Sequence, residues 1–257
     1  MQQLAVQTVF ANPSQNLNGA TALIVIYDTA LTTPVMQRIA TQSQHPATVF
    51  LKRSQLNKPH CPIRWFNSQC EIMRCGHGTL AAAKYLLQNY NYCPRLFITN
   101  SHEHFVMKVK RKVAQLELAA IKSKRITACA SLQEVLPVTI SDYYSAGAKN
   151  SYSIALINQA IALHSLEVDI KALKQSHNNA LIVLQINTQD KQQCTACFRY
   201  FAPQFGVDED SATGSAVAVI APLIYQLYGL TMGSLMQQSP RGAFMHYKLD
   251  KHRVLIY

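Results

Sequence analysis

Apolar and polar positions alternate in short runs along most of this chain. Leu4–Phe10, Ala22–Tyr27, Thr48–Leu51, Ile63–Phe66, Leu96–Thr99, Phe105–Val109 and Ala114–Leu118 carry the pattern in the first half. Tyr152–Leu156, Ala180–Ile186, Cys194–Phe201, Gly242–Leu249 and Arg253–Tyr257 carry it in the second. Short runs rich in β-branched and aromatic residues predict strands. Helical spacing is confined to Pro34–Thr41, Gly78–Gln88, Ser131–Val135, Asp169–Lys174 and Ser215–Leu227. The second and the last of these are apolar on nearly every side, and a helix apolar all round is buried all round. Strands wrapped about a central helix satisfy that demand. Pro222, inside the last helix, predicts a kink or an early break there.

The two apolar helices stand in similar surroundings. Arg64-Trp65-Phe66 lies 14 residues ahead of Gly78, and Arg199-Tyr200-Phe201 lies 15 residues ahead of Gly214. Each time an Arg-aromatic-Phe strand leads through a loop to a glycine, a hydroxyl residue and an Ala-rich helix. Self-similarity of this kind predicts two related halves. The expected fold is α+β, with two pseudo-symmetric, barrel-like β domains that each wrap a buried helix. Residues 1–120 form the half with the Gly76-His77-Gly78 loop, and 121–257 the half with the Thr213-Gly214-Ser215 loop. The last strand is expected to pack on the first half.

Composition narrows the classes. With 257 residues, 49% apolar and 14% charged, the chain can bury a sizeable core and is not disordered. No apolar run approaches the roughly 20 residues of a membrane span. The start Met-Gln-Gln-Leu-Ala lacks a basic segment followed by an apolar one, and seven scattered cysteines do not suggest a disulfide framework. A reducing cytoplasm is the expected location. Lys and Arg number 24 against 13 acids, a formal charge of +11. The shortage is of acids, with none between Asp28 and Glu71. Such a balance attracts anions. No zinc-finger spacing, RNP-type aromatic motif or long basic helix appears, which argues against nucleic acid as the partner. The basic run within Phe105–Val113 reads as a strand with one wet face, a solvated edge that resists pairing.

Candidate chemistry lies where the apolar helices begin. A helix N-terminus presents unpaired N–H groups and a partial positive charge, suited to a carboxylate or phosphate. Cys75-Gly-His-Gly-Thr79 and Ala212-Thr-Gly-Ser-Ala216 each open a helix with small residues, and Thr79, Thr213 and Ser215 can cap or donate. If the halves face each other, the two helix ends open on one anion-binding cleft. His77 sits in the first loop. Asp208, Glu209 and Asp210 precede the second, and at least one of the three is expected only to complement the helix dipole.

These residues amount to a family resemblance. Ile63-Arg-Trp-Phe-Asn-Ser-Gln-Cys-Glu-Ile-Met-Arg-Cys-Gly-His-Gly-Thr-Leu-Ala81 resembles the first signature of the PhzF-like, or phenazine-biosynthesis-like, family. Arg199-Tyr-Phe-Ala-Pro-Gln-Phe-Gly-Val-Asp-Glu-Asp-Ser-Ala-Thr-Gly-Ser-Ala216 is similar to the second, and Met36-Gln-Arg-Ile-Ala40 to the family's first helix. The resemblance implies a diaminopimelate-epimerase-like fold and an isomerase free of cofactor and metal, usually homodimeric, acting on a small carboxylate metabolite. It places His77 and Asp210 on catalytic positions. It places Gly76, Gly78, Thr79, Gly214 and Ser215 on substrate-binding ones. Cys75 lies beside a position that epimerase relatives fill with a catalytic thiol, but Gly214 and Ser215 offer no second thiol.

One departure bears on mechanism. The family's proton-shuttling Glu falls eleven residues after the Met of its first helix, and counting from Met36 reaches Ala47. General acid/base groups contribute ~10²–10⁴-fold, so the loss is large. His45, two residues earlier and on the same side of a strand, is the candidate substitute base. Glu71 is expected to be structural. Two classes of function therefore follow: a family isomerase with a replaced shuttle, or a catalytically silent relative that binds an anionic metabolite or a partner protein. Cys194-Thr-Ala-Cys197 and His102-Glu-His104 read as strand and loop residues rather than as metal sites.

Overall fold

A computed structural model describes residues 2–127, 130–148, 151–158, 161–187 and 194–257. The chain divides into two compact units. One comprises Met1–Ala11, Gly19–Leu118 and Leu255–Tyr257, the other Asn12–Asn18 and Ala119–Val254.

The first unit runs β1 (Gln2–Val9), β2 (Ala20–Tyr27), α1 (Thr33–Ser43), β3 (Ala47–Lys52), β4 (His60–Pro62), β5 (Arg64–Phe66), β6 (Glu71–Ile72), α2 (Gly76–Tyr90), β7 (Leu96–Ile98), β8 (His104–Lys110) and β9 (Val113–Ala119). A five-stranded sheet has the order β1-β2-β3-β5-β6. Its strands are antiparallel except for β2 and β3, whose parallel pairing needs a crossover that α1 supplies. Met36 and Ala40 of α1 pack on Val25, Phe50 and Phe66, one face of this sheet. Helix α2 covers β1, β2 and β3, on the face to which Val49 belongs. A second run of strands pairs β4 with β7 in parallel and β7-β8-β9 antiparallel.

The second unit runs β10 (Ser123–Ile126), α3 (Ala130–Val135), β11 (Ile140–Ala146), β12 (Tyr152–Ile157), α4 (Ile170–Ser176), β13 (Ala180–Asn187), β14 (Cys194–Ala202), β15 (Val207–Glu209), a 3-10 turn (Gly214–Ala216), α5 (Val217–Tyr228), β16 (Met232–Gln237) and β17 (Ala243–Asp250). The division between the units passes through β18 (Arg253–Ile256). Strands β11 and β12 are antiparallel, β12 and β13 parallel across α4, and β13-β14-β15 antiparallel, after which the chain enters the buried helix. That order of pairings is the order of β1, β2, β3, β5 and β6 in the first unit. Leu132, Leu173, Leu181, Val183 and Phe201 form the core beneath α3 and α4. Among the described residues neither set of strands closes on itself.

Two expectations need correction. Helix α5 runs through Pro222 without breaking. Proline has no N–H for the carbonyl four residues back. Here that carbonyl, on Ala218, accepts instead from the Ile121 N–H at 2.8 Å. The basic run is likewise no edge: β8 pairs with β7 on one side and β9 on the other, and the chain reverses at Arg111-Lys112, both with left-handed backbones.

Candidate active site

In the first unit the site grows from the start of α2. Cys75 is the N-cap residue, and its side chain makes no capping hydrogen bond to the helix. The Cys75 thiol is buried against the imidazole of His77, 3.6 Å from Nδ1 and 3.8 Å from Nε2. Thr79 turns inward: its N–H and its hydroxyl donate to the Cys75 carbonyl at 3.0 and 2.8 Å, and it is fully buried. Gly78 is a packing glycine. A Cβ there would lie 2.9 Å from Cys75 Sγ and 3.0 Å from Trp65 Cδ1. Gly78 and Thr79 therefore also hold the loop together. Gly76 differs, since its Cβ would meet only Leu116 Cδ2 at 3.5 Å.

The strand wall beneath this loop contains Ala47. Side chains alternate faces along a strand, so Ala47 shares the face of Val49, whose Cγ2 lies 3.3 Å from the Gly78 Cβ position. Ala47 is fully buried and pairs with Ala22 of β2. His45 does not share this face. It precedes β3, which begins at Ala47, so strand alternation does not reach it. Its Nδ1 lies 3.2 Å from Thr21 Oγ1, and Thr21 belongs with Leu23 and Val25 to the face covered by α1. The structure thus separates the candidate substitute base from the position it was expected to serve. In the same wall Trp65 stacks edge-on to Phe105, and among the described residues its buried indole N–H has no hydrogen-bond partner.

In the second unit Asp210 follows β15 and precedes the 3-10 turn. Its Oδ2 accepts from the Thr213 hydroxyl at 2.7 Å and its Oδ1 from the Ala212 N–H at 3.5 Å. Gln237, at the end of β16 and fully buried, clamps the loop. It accepts from the Thr213 N–H at 2.6 Å and donates to Thr213 Oγ1 at 3.2 Å and to the Asp210 carbonyl. Nothing in the chain before Gln237 signals this role, because the clamp arises from a strand far along the sequence. Gly214 is buried, whereas Ser215 is exposed and can reach a ligand. Tyr200, which lies inside the second Arg-aromatic-Phe segment and was not among the expected candidates, stands near Asp210. Burial raises its pKa well above the usual phenol range, with Tyr152 and Asp210 adding to the shift, so it remains a neutral donor.

Each loop is preceded by an arginine clamp. Arg64 grips Glu71 through Nε at 2.7 Å and Nη2 at 2.6 Å, with its guanidinium over Phe66. Arg199 grips Glu209 through Nε at 2.8 Å and Nη2 at 2.7 Å, over Phe201. Glu71 and Glu209 are thereby held in ion pairs and Asp208 is exposed, so Asp210 remains the candidate carboxylate of the acidic triplet. Among the described residues no group of three metal-ligating side chains occurs. Burial pushes the Cys61 and Cys93 thiols up to about 12, which makes both inert, and the Cys194 side chain lies outside the described set. No helix of the described residues is long and apolar enough to cross a membrane.

Comparison with known proteins matches residues 8–253 to a family described as phenazine biosynthesis-like protein. An uncharacterized isomerase of Pseudomonas aeruginosa is 30% identical over 256 residues, which cover 99% of this chain and 94% of that protein. A crystal structure of a PhzF family protein from Enterococcus faecalis aligns with a TM-score of 0.81 at 25% identity, covering 99% and 93% of the two chains. A predicted epimerase from Pseudomonas aeruginosa shares the fold, with a TM-score of 0.62 at 17% identity over 99% of this chain and 94% of the other.

Proposed function

Because the chain belongs to the phenazine biosynthesis-like family, we propose that it is an isomerase or epimerase that moves a proton on a small carboxylate-bearing metabolite without a cofactor. The observation that carries this reading is the Asp210 carboxylate. It is oriented by the Thr213 hydroxyl in a loop that Gln237 clamps, at the entrance to a buried helix. Such a group takes a proton from the carbon next to the substrate carboxylate, and the electron pair left behind spreads into that carboxylate. Ser215 and the neutral Tyr200 hydroxyl, in the same unit as Asp210, suit the charge that develops. A second donor, the role that the family resemblance gives to His77, returns a proton to the new face or position, so one C–H bond breaks and one forms.

In this reading the two units are pseudo-symmetric, barrel-like versions of one fold. The recurring order of strand pairings and the recurring arginine clamp support it. The family resemblance adds a homodimer and the small anionic metabolite as partners.

A second reading, binding without turnover, is favoured by Ala47, a buried methyl where the family places its proton shuttle. Deuterium incorporation from D₂O, followed by mass spectrometry across small amino and hydroxy acids, separates the two. Label from the native protein, lost in Asp210→Asn and His77→Ala, supports the isomerase. Label from Ala47→Glu alone supports a retained pocket whose catalyst was discarded. No label from either protein counts against proton transfer on these acids.

A further inference from the structure

We propose that the first unit holds a second ligand site, separate from the α2 N-terminus, that takes a small amphiphilic carboxylate. A cavity of about 230 Å³ lies between α2, the end of β1 and the β8–β9 turn. Leu80, Lys84 and Leu87 follow one another along one face of α2 on its lining, and Val9, Phe10, Val113, Ala114 and the Tyr257 ring add to the apolar part. Phe10 and Leu80 are buried and form its floor. Neither Gly76 nor His77 lines it.

The polar part is cationic. Lys84 Nζ donates to the Thr8 carbonyl at 2.9 Å, which fixes the ammonium at the cavity and leaves two of its three N–H bonds for other acceptors. Lys112 stands exposed at the turn. No acidic side chain lines the cavity, and among the described residues neither lysine has a carboxylate partner.

Both ends of the cavity are held in backbone conformations that residues with a Cβ seldom adopt. Phe10 has φ 60°, and Gly19 packs so closely on it that a Cβ there would lie 2.7 Å from the Phe10 carbonyl carbon. Arg111 and Lys112, at φ 49° and 62°, form a two-residue turn where Asn and Gly are the usual choice. The chain accepts that strain and sets a cation beside an apolar floor. Opposite charge on an apolar body is the complement. The volume, below the roughly 300 Å³ of common ligand pockets, limits that body to about the size of an eight-carbon chain.

The test titrates the intact protein with octanoate, and with octanol as a neutral probe of the same shape, while following the methyl resonances of Leu87 and Val113. Octanoate is expected to shift both, and Lys84→Met and Lys112→Met are each expected to weaken it about tenfold while leaving octanol unchanged. If Lys84→Met does not fold, Lys112→Met, at an exposed turn, carries the comparison alone. Equal affinity for octanol and octanoate would overturn the proposal. So would octanoate shifts confined to the Gly76–His77 loop, no shift at Leu87 and Val113, or octanoate affinity that survives both substitutions.

Discussion

The two glycines flanking His77 look equivalent in the sequence and are not. A Cβ on Gly78 would press on Cys75 Sγ at 2.9 Å, Trp65 Cδ1 at 3.0 Å and Val49 Cγ2 at 3.3 Å, whereas one on Gly76 makes only ordinary contact with Leu116. Gly78→Ala is therefore expected to lower the unfolding free energy in urea by about 1–2 kcal/mol, the usual cost of overpacking. Gly76→Ala is expected to change it by less than about 0.5 kcal/mol. If the start of α2 carries substrate, Gly76→Ala reduces ligand affinity or turnover with stability intact. A destabilised Gly76→Ala would show instead that both glycines serve packing. Gly-His-Gly is legible as a helix-opening motif because its spacing is local. Which glycine is spare depends on Val49 and Trp65, delivered by strands that the motif does not mention. The same limit misplaced His45. Alternation carries a side chain two residues back only if the strand extends that far, and β3 begins at Ala47.

The arginine clamps tie each short strand before a site loop to its neighbour, and they differ in burial. Arg199 and Glu209 keep 11% and 16% of their side-chain exposure, against 18% and 34% for Arg64 and Glu71. Arg199 also donates to the carbonyls of Leu163 and Leu166, so its charge has little access to water. Removing one partner of a buried pair leaves an uncompensated charge, which typically costs several kcal/mol. Glu209→Gln is expected to cost about 3 kcal/mol in urea unfolding and Glu71→Gln about 1 kcal/mol. Equal losses would mean that burial is not what separates them. The clamps were visible as a repeated Arg-aromatic-Phe, but their acids lie at unequal spacing, seven and ten residues on. Alternation found most strands, yet in β1 it could not say which face is the core. Leu4 and Val6 are exposed, and Gln3 turns inward to the Tyr85 and Tyr90 hydroxyls at 2.6 and 2.9 Å. β11 and β16 escaped notice because Ser, Asp and Gly interrupt their apolar residues, and β10 because it is Ser-Lys-Arg-Ile. Their neighbours make them strands, not their composition.

The charge of +11 is plain from the composition, but its consequence for acid stability depends on which of the nine histidines are buried. Burial lowers the pKa of His177, which also meets the Tyr143 hydroxyl at 3.4 Å, and of His246, which packs edge-on to Phe244. A histidine whose folded pKa lies below its unfolded value of about 6.5 binds more protons when the chain is unfolded. Its contribution to stability is complete above that value and is lost as pH falls through the depressed folded one. Exposed histidines act differently. By gaining charge on a protein already strongly positive they add repulsion, which salt screens. The unfolding temperature is therefore expected to fall between about pH 7.5 and pH 5 by two separable routes. At about 1 M NaCl, where the screening length is ~3 Å, the repulsive part should largely vanish and a residual slope remain. His177→Gln and His246→Gln should each flatten that residual slope without altering stability's pH dependence above neutrality. A residual slope that both variants leave intact would place the acid sensitivity outside the buried imidazoles.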